Sequence, residues 1–203
     1  MRLGVWLSLA LLCAIASPLR AASDKDFADC EKGDSPDRVI AACTRIVQDR
    51  REDPKTRSDA HFNRGQAYSK KGDRDRAIAD YGEAIKLDAK NTMALYNRGH
   101  TYLVKRDYDR AIADNSAGIR IDPDVPLGYI NRGVAYHANG QLESALADYE
   151  AALKRDPKLS FALYGRGLVR LKRGDAAAGE ADIAAAKAIL AQVAEVFDRH
   201  GLK

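Results

Sequence analysis

The tripeptide Asn-Arg-Gly stands at 63–65, 97–99 and 131–133, and Gly165-Arg166-Gly167 nearly repeats it, each copy 34 residues after the one before. A period of that length, carried through most of a chain, restricts the fold to stacked copies of one supersecondary unit. Shifting the sequence on itself by 34 residues brings Tyr68, Tyr102 and Tyr136 into step, then Ala77, Ala111 and Ala145, Tyr81 with Tyr149, and Asp88, Asp122 and Asp156. Within one period apolar residues fall at helical spacing in two blocks, such as Leu95, Gly99, Tyr102 and Leu103, then Ala111, Ile112, Ile119 and Ile121. Each unit therefore reads as two helices. Gly72, Gly140 and Gly174 fit the turn between them, and Pro123 and Pro157 stop the second helix.

Gly65, Gly99, Gly133 and Gly167 fall inside the first helices, where glycine costs about 0.5–1 kcal/mol relative to alanine. Their recurrence points to close helix approach, with the alanines at 77, 111 and 145 as the facing small residues and the tyrosines filling the space beside them. One helical pair cannot bury such a face alone, so the units must stack on one another.

This pattern resembles the tetratricopeptide repeat family, whose units share the 34-residue period and the spacing of Gly, Tyr, Ala, aromatic and Pro. The third unit carries the resemblance best, through Tyr129, Gly133, Tyr136, Ala145, Tyr149 and Pro157. The resemblance implies an all-α, right-handed solenoid of antiparallel helix pairs, with full units at 58–91, 92–125 and 126–159. A degenerate fourth unit follows at 160–190, where Arg170, Gly179 and Ile183 replace the expected Tyr, Ala and Tyr, and a capping helix is expected at 191–203. Upstream, Pro36–Val47 matches Arg74–Ile85, so a half-repeat is expected within 23–57.

Members of the family usually carry an aliphatic residue where Arg64, Arg98, Arg132 and Arg166 stand. Each of these arginines is followed sixteen residues later by an acid: Asp80, Asp114, Asp148 and Asp182 respectively. The spacing predicts one partly buried Arg–carboxylate pair per unit, joining its two helices and serving packing rather than chemistry.

Residues 1–22 read as a cleaved export leader, with Arg2, an apolar run from Leu3 to Ala16, and small residues suited to processing after Ala16, Ala21 or Ala22. Cys13 has no small residue before it, which disfavours lipid attachment. A periplasmic or secreted location is expected. No other run approaches the roughly 20 apolar residues of a membrane helix, so membrane insertion is not expected. Losing Arg2 and Arg20 takes the formal charge from +4 to +2, and the interspersed signs argue against nucleic acid as a partner. Cys30 and Cys43 survive processing. An oxidising compartment favours a disulfide between them, with two free buried thiols as the alternative.

In tetratricopeptide arrays the first helices line a concave groove, and the resemblance implies that this groove receives a partner polypeptide. Asn63, Asn97 and Asn131 resemble the family's groove asparagines, whose amides both donate to and accept from a ligand main chain. Helical spacing adds Phe62, Gln66 and Lys70; Met93, Tyr96, His100 and Val104; Leu127, Ile130, Val134 and His137; and Phe161, Tyr164 and Leu168. That wall is mostly apolar and offers only Lys70 and Lys172 as cations, which suits an apolar or amphipathic segment better than a free terminal carboxylate. Three alternatives stay open: the asparagines bridge within the fold, the chain's own terminus covers the wall, or the protein self-associates.

His61, His100, His137 and His200 come with no metal-ligand spacing, and no phosphate loop or nucleophile elbow is present. No enzymatic activity, cofactor or metal is expected. The expected function is an exported protein-interaction module binding a polypeptide segment. The alternative is a carrier holding an acyl chain or other apolar small molecule in the same groove.

Overall fold

The computed structural model describes residues 21–202, so all but the last two residues of the expected leader lie outside the described residues. Among the described residues there are eleven helices and no strand. They are α1 (Asp24–Lys32), α2 (Pro36–Gln48), α3 (Pro54–Lys70), α4 (Arg74–Leu87), α5 (Thr92–Val104), α6 (Tyr108–Ile121), α7 (Pro126–Ala138), α8 (Leu142–Arg155), α9 (Ser160–Lys172), α10 (Ala176–Ile189) and α11 (Val193–Arg199). The first ten pack as consecutive pairs, and α3, α5, α7 and α9 touch in series to form one wall of the solenoid.

Local chemistry sets these boundaries. Asp73, Asp107 and Asp175 each accept a backbone N–H at the start of a second helix, satisfying a donor that the helix itself leaves open. The turn between paired helices needs a left-handed residue, supplied by Gly72, Gly140 and Gly174 with φ of 78°, 77° and 87°. The second unit has Arg106 at this place with φ 60°, a conformation that costs a non-glycine residue about 1–2 kcal/mol.

Where a half-repeat was expected, α1 supplies a first helix and makes a complete pair with α2. Its start is fixed by a capping box: Ser23 accepts from the Asp26 N–H while the Asp26 carboxylate accepts from the Ser23 N–H. The helix carries little apolar sequence, so periodicity did not reveal it. Cys30 on α1 faces Cys43 on α2 with Cα atoms 4.8 Å apart, among the buried Ala42, Ile46 and Ala60.

Ala77, Ala111 and Ala145 are fully buried. Each of the four pairs from α3 to α10 also contains an arginine fork. The Arg64 Nε and Nη2 donate to Asp80 at 2.8 and 2.7 Å, and Arg98 donates to Asp114 at 2.8 Å from both nitrogens. Arg132 reaches Asp148 at 2.8 and 2.7 Å, and Arg166 reaches Asp182 at 2.7 Å twice. Burial raises the Asp80 carboxyl, but bonds from Arg64 and His61 outweigh it and leave the group below the usual carboxylate range. Sequence spacing did not disclose a further contact: Arg64 Nη1 donates to Thr44 on α2 at 3.0 Å, and Arg132 Nη1 to Ser116 on α6 at 2.9 Å. The guanidinium therefore joins the two helices of its own unit and also ties that unit to the one before.

Candidate functional site

The wall built by α3, α5, α7 and α9 carries rows of side chains spaced by one unit. Met93 and Leu127 begin α5 and α7 and are 44% and 38% exposed, with the half-buried Phe161 next in the row. Gln66 and the exposed His100 form a second row that continues into the buried Val134 and Leu168. Phe62, Asn63, Asn97, Val104 and Ile130 are half-buried, and Lys70 is exposed. Depressions of about 270 and 440 Å³ flank α1, and Asn63 reaches both.

The C-terminal end of this wall is covered by the chain itself. α10 stops at Ile189, and α11 turns back onto α9 and α10. Val193, Phe197 and Leu202 are buried there, and the Phe197 ring lies 5.0 Å from Tyr164. The tail continues as far as α5, where His200 meets His100 edge to face with ring centroids 6.1 Å apart. Burying these three side chains is worth on the order of 5 kcal/mol before the cost of ordering the tail. Between tail and wall lies a cavity of about 250 Å³, lined by His100 and Leu103 of α5, Leu127, Ile130, Asn131 and Val134 of α7, Phe161 of α9, Val196 and Phe197 of α11, and His200.

Several residues assigned to the groove from spacing are not open to a partner segment laid on the surface of the wall. Tyr96 is 0% exposed: its ring enters the space left by Gly118 and Gly128, and its hydroxyl donates to the Asp122 carbonyl at 3.3 Å. Tyr164 and Leu168 are buried, Tyr164 under the tail's Phe197. Val134 and Asn131 are buried as well, and the Asn131 amide is directed at the Tyr96 carbonyl, 3.5 Å away. Asn97 donates to the Met93 carbonyl at 2.9 Å, within its own helix. Sequence spacing placed these side chains on the correct helices but could not tell the wall's surface from its depth. The absence of a side chain at 118 and 128 was the available sign that a large neighbour fills that space.

His137 is only 3% exposed, and neither ring nitrogen has a hydrogen-bond partner. Burial, helped by nearby Lys172, pushes its imidazole down to about 4. An unfolded histidine titrates near 6.5, so the fold favours the neutral ring. The stability tied to this group is complete above about pH 6.5 and is lost as pH falls toward 4. Urea unfolding is expected to show a loss of about 2 kcal/mol between pH 7 and pH 4.5, and His137→Leu should remove most of that slope. His200, depressed by burial and then by His100, adds to the loss in the same direction. An unchanged slope in the His137→Leu chain would contradict this assignment.

Two models described as tetratricopeptide repeat match residues 62–126 and 126–159. No curated protein sequence matches the chain. Among solved structures, MamA from Desulfovibrio magneticus RS-1 is similar with a TM-score of 0.71 and 21% identity, covering 83% of this chain and 97% of that one. The OM64 TPR domain of Arabidopsis has a TM-score of 0.57 and 26% identity, covering 58% and 98% of the two chains. The first TPR of Spaghetti (RPAP3), bound to the HSP90 peptide SRMEEVD, has a TM-score of 0.58 and 24% identity over 59% and 95%. Four stacked helix pairs with a common 34-residue ruler, and family matches running without a gap from 62 to 159, show that this part of the chain is built of tetratricopeptide repeats.

Proposed function

We propose that this protein is an exported, non-enzymatic interaction module whose wall holds a segment of a partner polypeptide. The observation that carries this reading is the docked tail: a surface that seats one polypeptide segment through Val193, Phe197 and Leu202 has the chemistry to seat another. The uncovered part of the wall offers Phe62, Asn63, Gln66, Lys70, Met93 and Val104, which mix apolar contact with the Asn63 and Gln66 amides, groups suited to a main chain. The structure of the first TPR of Spaghetti with an HSP90 peptide accords with such a use of the fold.

Export is part of the proposal and rests on the composition of residues 1–22. A Cys30–Cys43 disulfide would then form after translocation; the Cα separation of 4.8 Å suits one. It would contribute roughly 2–4 kcal/mol at a solenoid end that has a neighbour on one side only.

Photo-crosslinking in the native envelope tests the reading. A photoreactive residue at Gln66 or Lys70 is expected to capture a discrete protein, and the same group at the exposed Arg120 of α6 is not. Met93→Glu should abolish the capture, because the charge disrupts an apolar contact without entering the core. Equal capture from Arg120, or capture indifferent to Met93→Glu, would refute the groove as the binding surface.

A further inference from the structure

The cavity under the tail calls for a different occupant from a polypeptide segment. It is closed on one side by α7 and α9 and on the other by α11, and it measures about 250 Å³. An apolar cavity of about 150 Å³ is large enough to stay dry and take up benzene. Here Leu127, Ile130, Val134, Phe161, Val196 and Phe197 present no polar side-chain atom to water, and the Asn131 amide is directed at the Tyr96 carbonyl. Besides Asn131, the polar side chains of the lining are His100 and His200. His100 is exposed and His200 half-buried, their rings in edge-to-face contact. Outside that lining, the Arg106 guanidinium stands beside Gly201, the residue that follows His200, 3.8 Å from where a Cβ on Gly201 would be. Among the described residues lining the cavity none is acidic.

We propose that this cavity binds a linear apolar monocarboxylate of about eight carbons, its chain enclosed between α7 and α11 and its carboxylate at His100, His200 and Arg106. The length follows from the volume. A methylene fills about as much space as a water molecule, roughly 30 Å³, so 250 Å³ accommodates about eight of them. The sign of the head group follows from its neighbours: Arg106 is a permanent cation, and each imidazole can donate one N–H while neutral. The tail forms the roof, so a bound chain fastens α11 to the wall. The proposal requires no partner protein, and failure to find one by crosslinking would leave it intact.

Titration calorimetry of the full chain with butanoate, hexanoate, octanoate and dodecanoate, and with octanol as the uncharged companion, tests it. Affinity is expected to rise about fourfold per methylene up to eight carbons and to level off by twelve, where the chain outgrows the cavity. Arg106→Gly combined with His200→Ala should weaken octanoate about tenfold and leave octanol unchanged. Val196→Trp, from the tail side, and Leu127→Trp, from the wall side, should each fill the cavity and abolish binding of both; two routes guard against one variant merely dislodging the tail. Affinity independent of chain length, octanol bound as tightly as octanoate, or octanoate binding that survives both tryptophans would overturn the proposal.

Discussion

Asp148→Ala is expected to lower the stability of the folded chain by about 3 kcal/mol, because it removes one partner of a largely buried ion pair and leaves the other desolvated. Both Asp148 oxygens accept from Arg132, and the Asp148 side chain is 7% exposed against 20% for Arg132. Without the carboxylate, the guanidinium keeps only the Ser116 hydroxyl among its interhelical partners. For a chain of this size the melting temperature should fall by about 6–12 °C. Replacing both partners with apolar residues, as in Arg132→Met with Asp148→Leu, should recover most of that loss, since the pair then disappears without an orphaned charge. Urea unfolding of the three variants provides the check. A single alanine variant within about 0.5 kcal/mol of the parent would show the fork to be incidental.

Gly118→Ala should be about as damaging, by overfilling rather than by desolvation. A Cβ on residue 118 would stand 2.2 Å from Tyr96 Cε1. The ring has little room to swing away, because it is fully buried and also packs against Gly128, where a Cβ would be only 2.6 Å from the same atom. Overpacking of this kind typically costs about 1–3 kcal/mol, and a side chain clasped on two sides belongs at the upper end. In a Tyr96→Leu background the added methyl should cost much less, giving a coupling of at least about 1 kcal/mol in a double-mutant cycle. Additive effects would mean that the ring is not what excludes the methyl.

The fold was legible because its signals repeat. Gly, Tyr, Ala and Pro recur at fixed offsets, and a single misleading residue, such as Arg106 in a turn that elsewhere uses glycine, cannot hide a pattern stated several times. The same redundancy misled the reading of the wall. Position for position Tyr96 corresponds to Phe62 and Ile130, both half-buried, and equivalence suggested a shared exposure. The depth of a side chain is set by its non-repeating neighbours, here Gly118 and Gly128, and a period averages those away. α1 was hidden for a related reason, as were the docking contacts of a tail that was expected only as a capping helix and as one possible cover for the wall. They occur once, and a seven-residue helix such as α11 has no period long enough to reveal its docking face.

The arginine fork gives the array a mechanical consequence. Arg64 and Arg132 each fasten their unit to the preceding one through a hydroxyl, on Thr44 and Ser116. At the corresponding place before Arg98 stands Gly82, which has no side chain to offer. The tail bridges α9 to α5 but stops short of α4. The joint between α4 and α5 has neither this rivet nor this strap, and is spanned instead by the exposed Lys105–Asp75 ion pair and by the Asn91 amide, which donates to the Ser58 hydroxyl at 3.3 Å. An exposed pair contributes only about 0–1 kcal/mol, so bending of the array should be easiest at this joint.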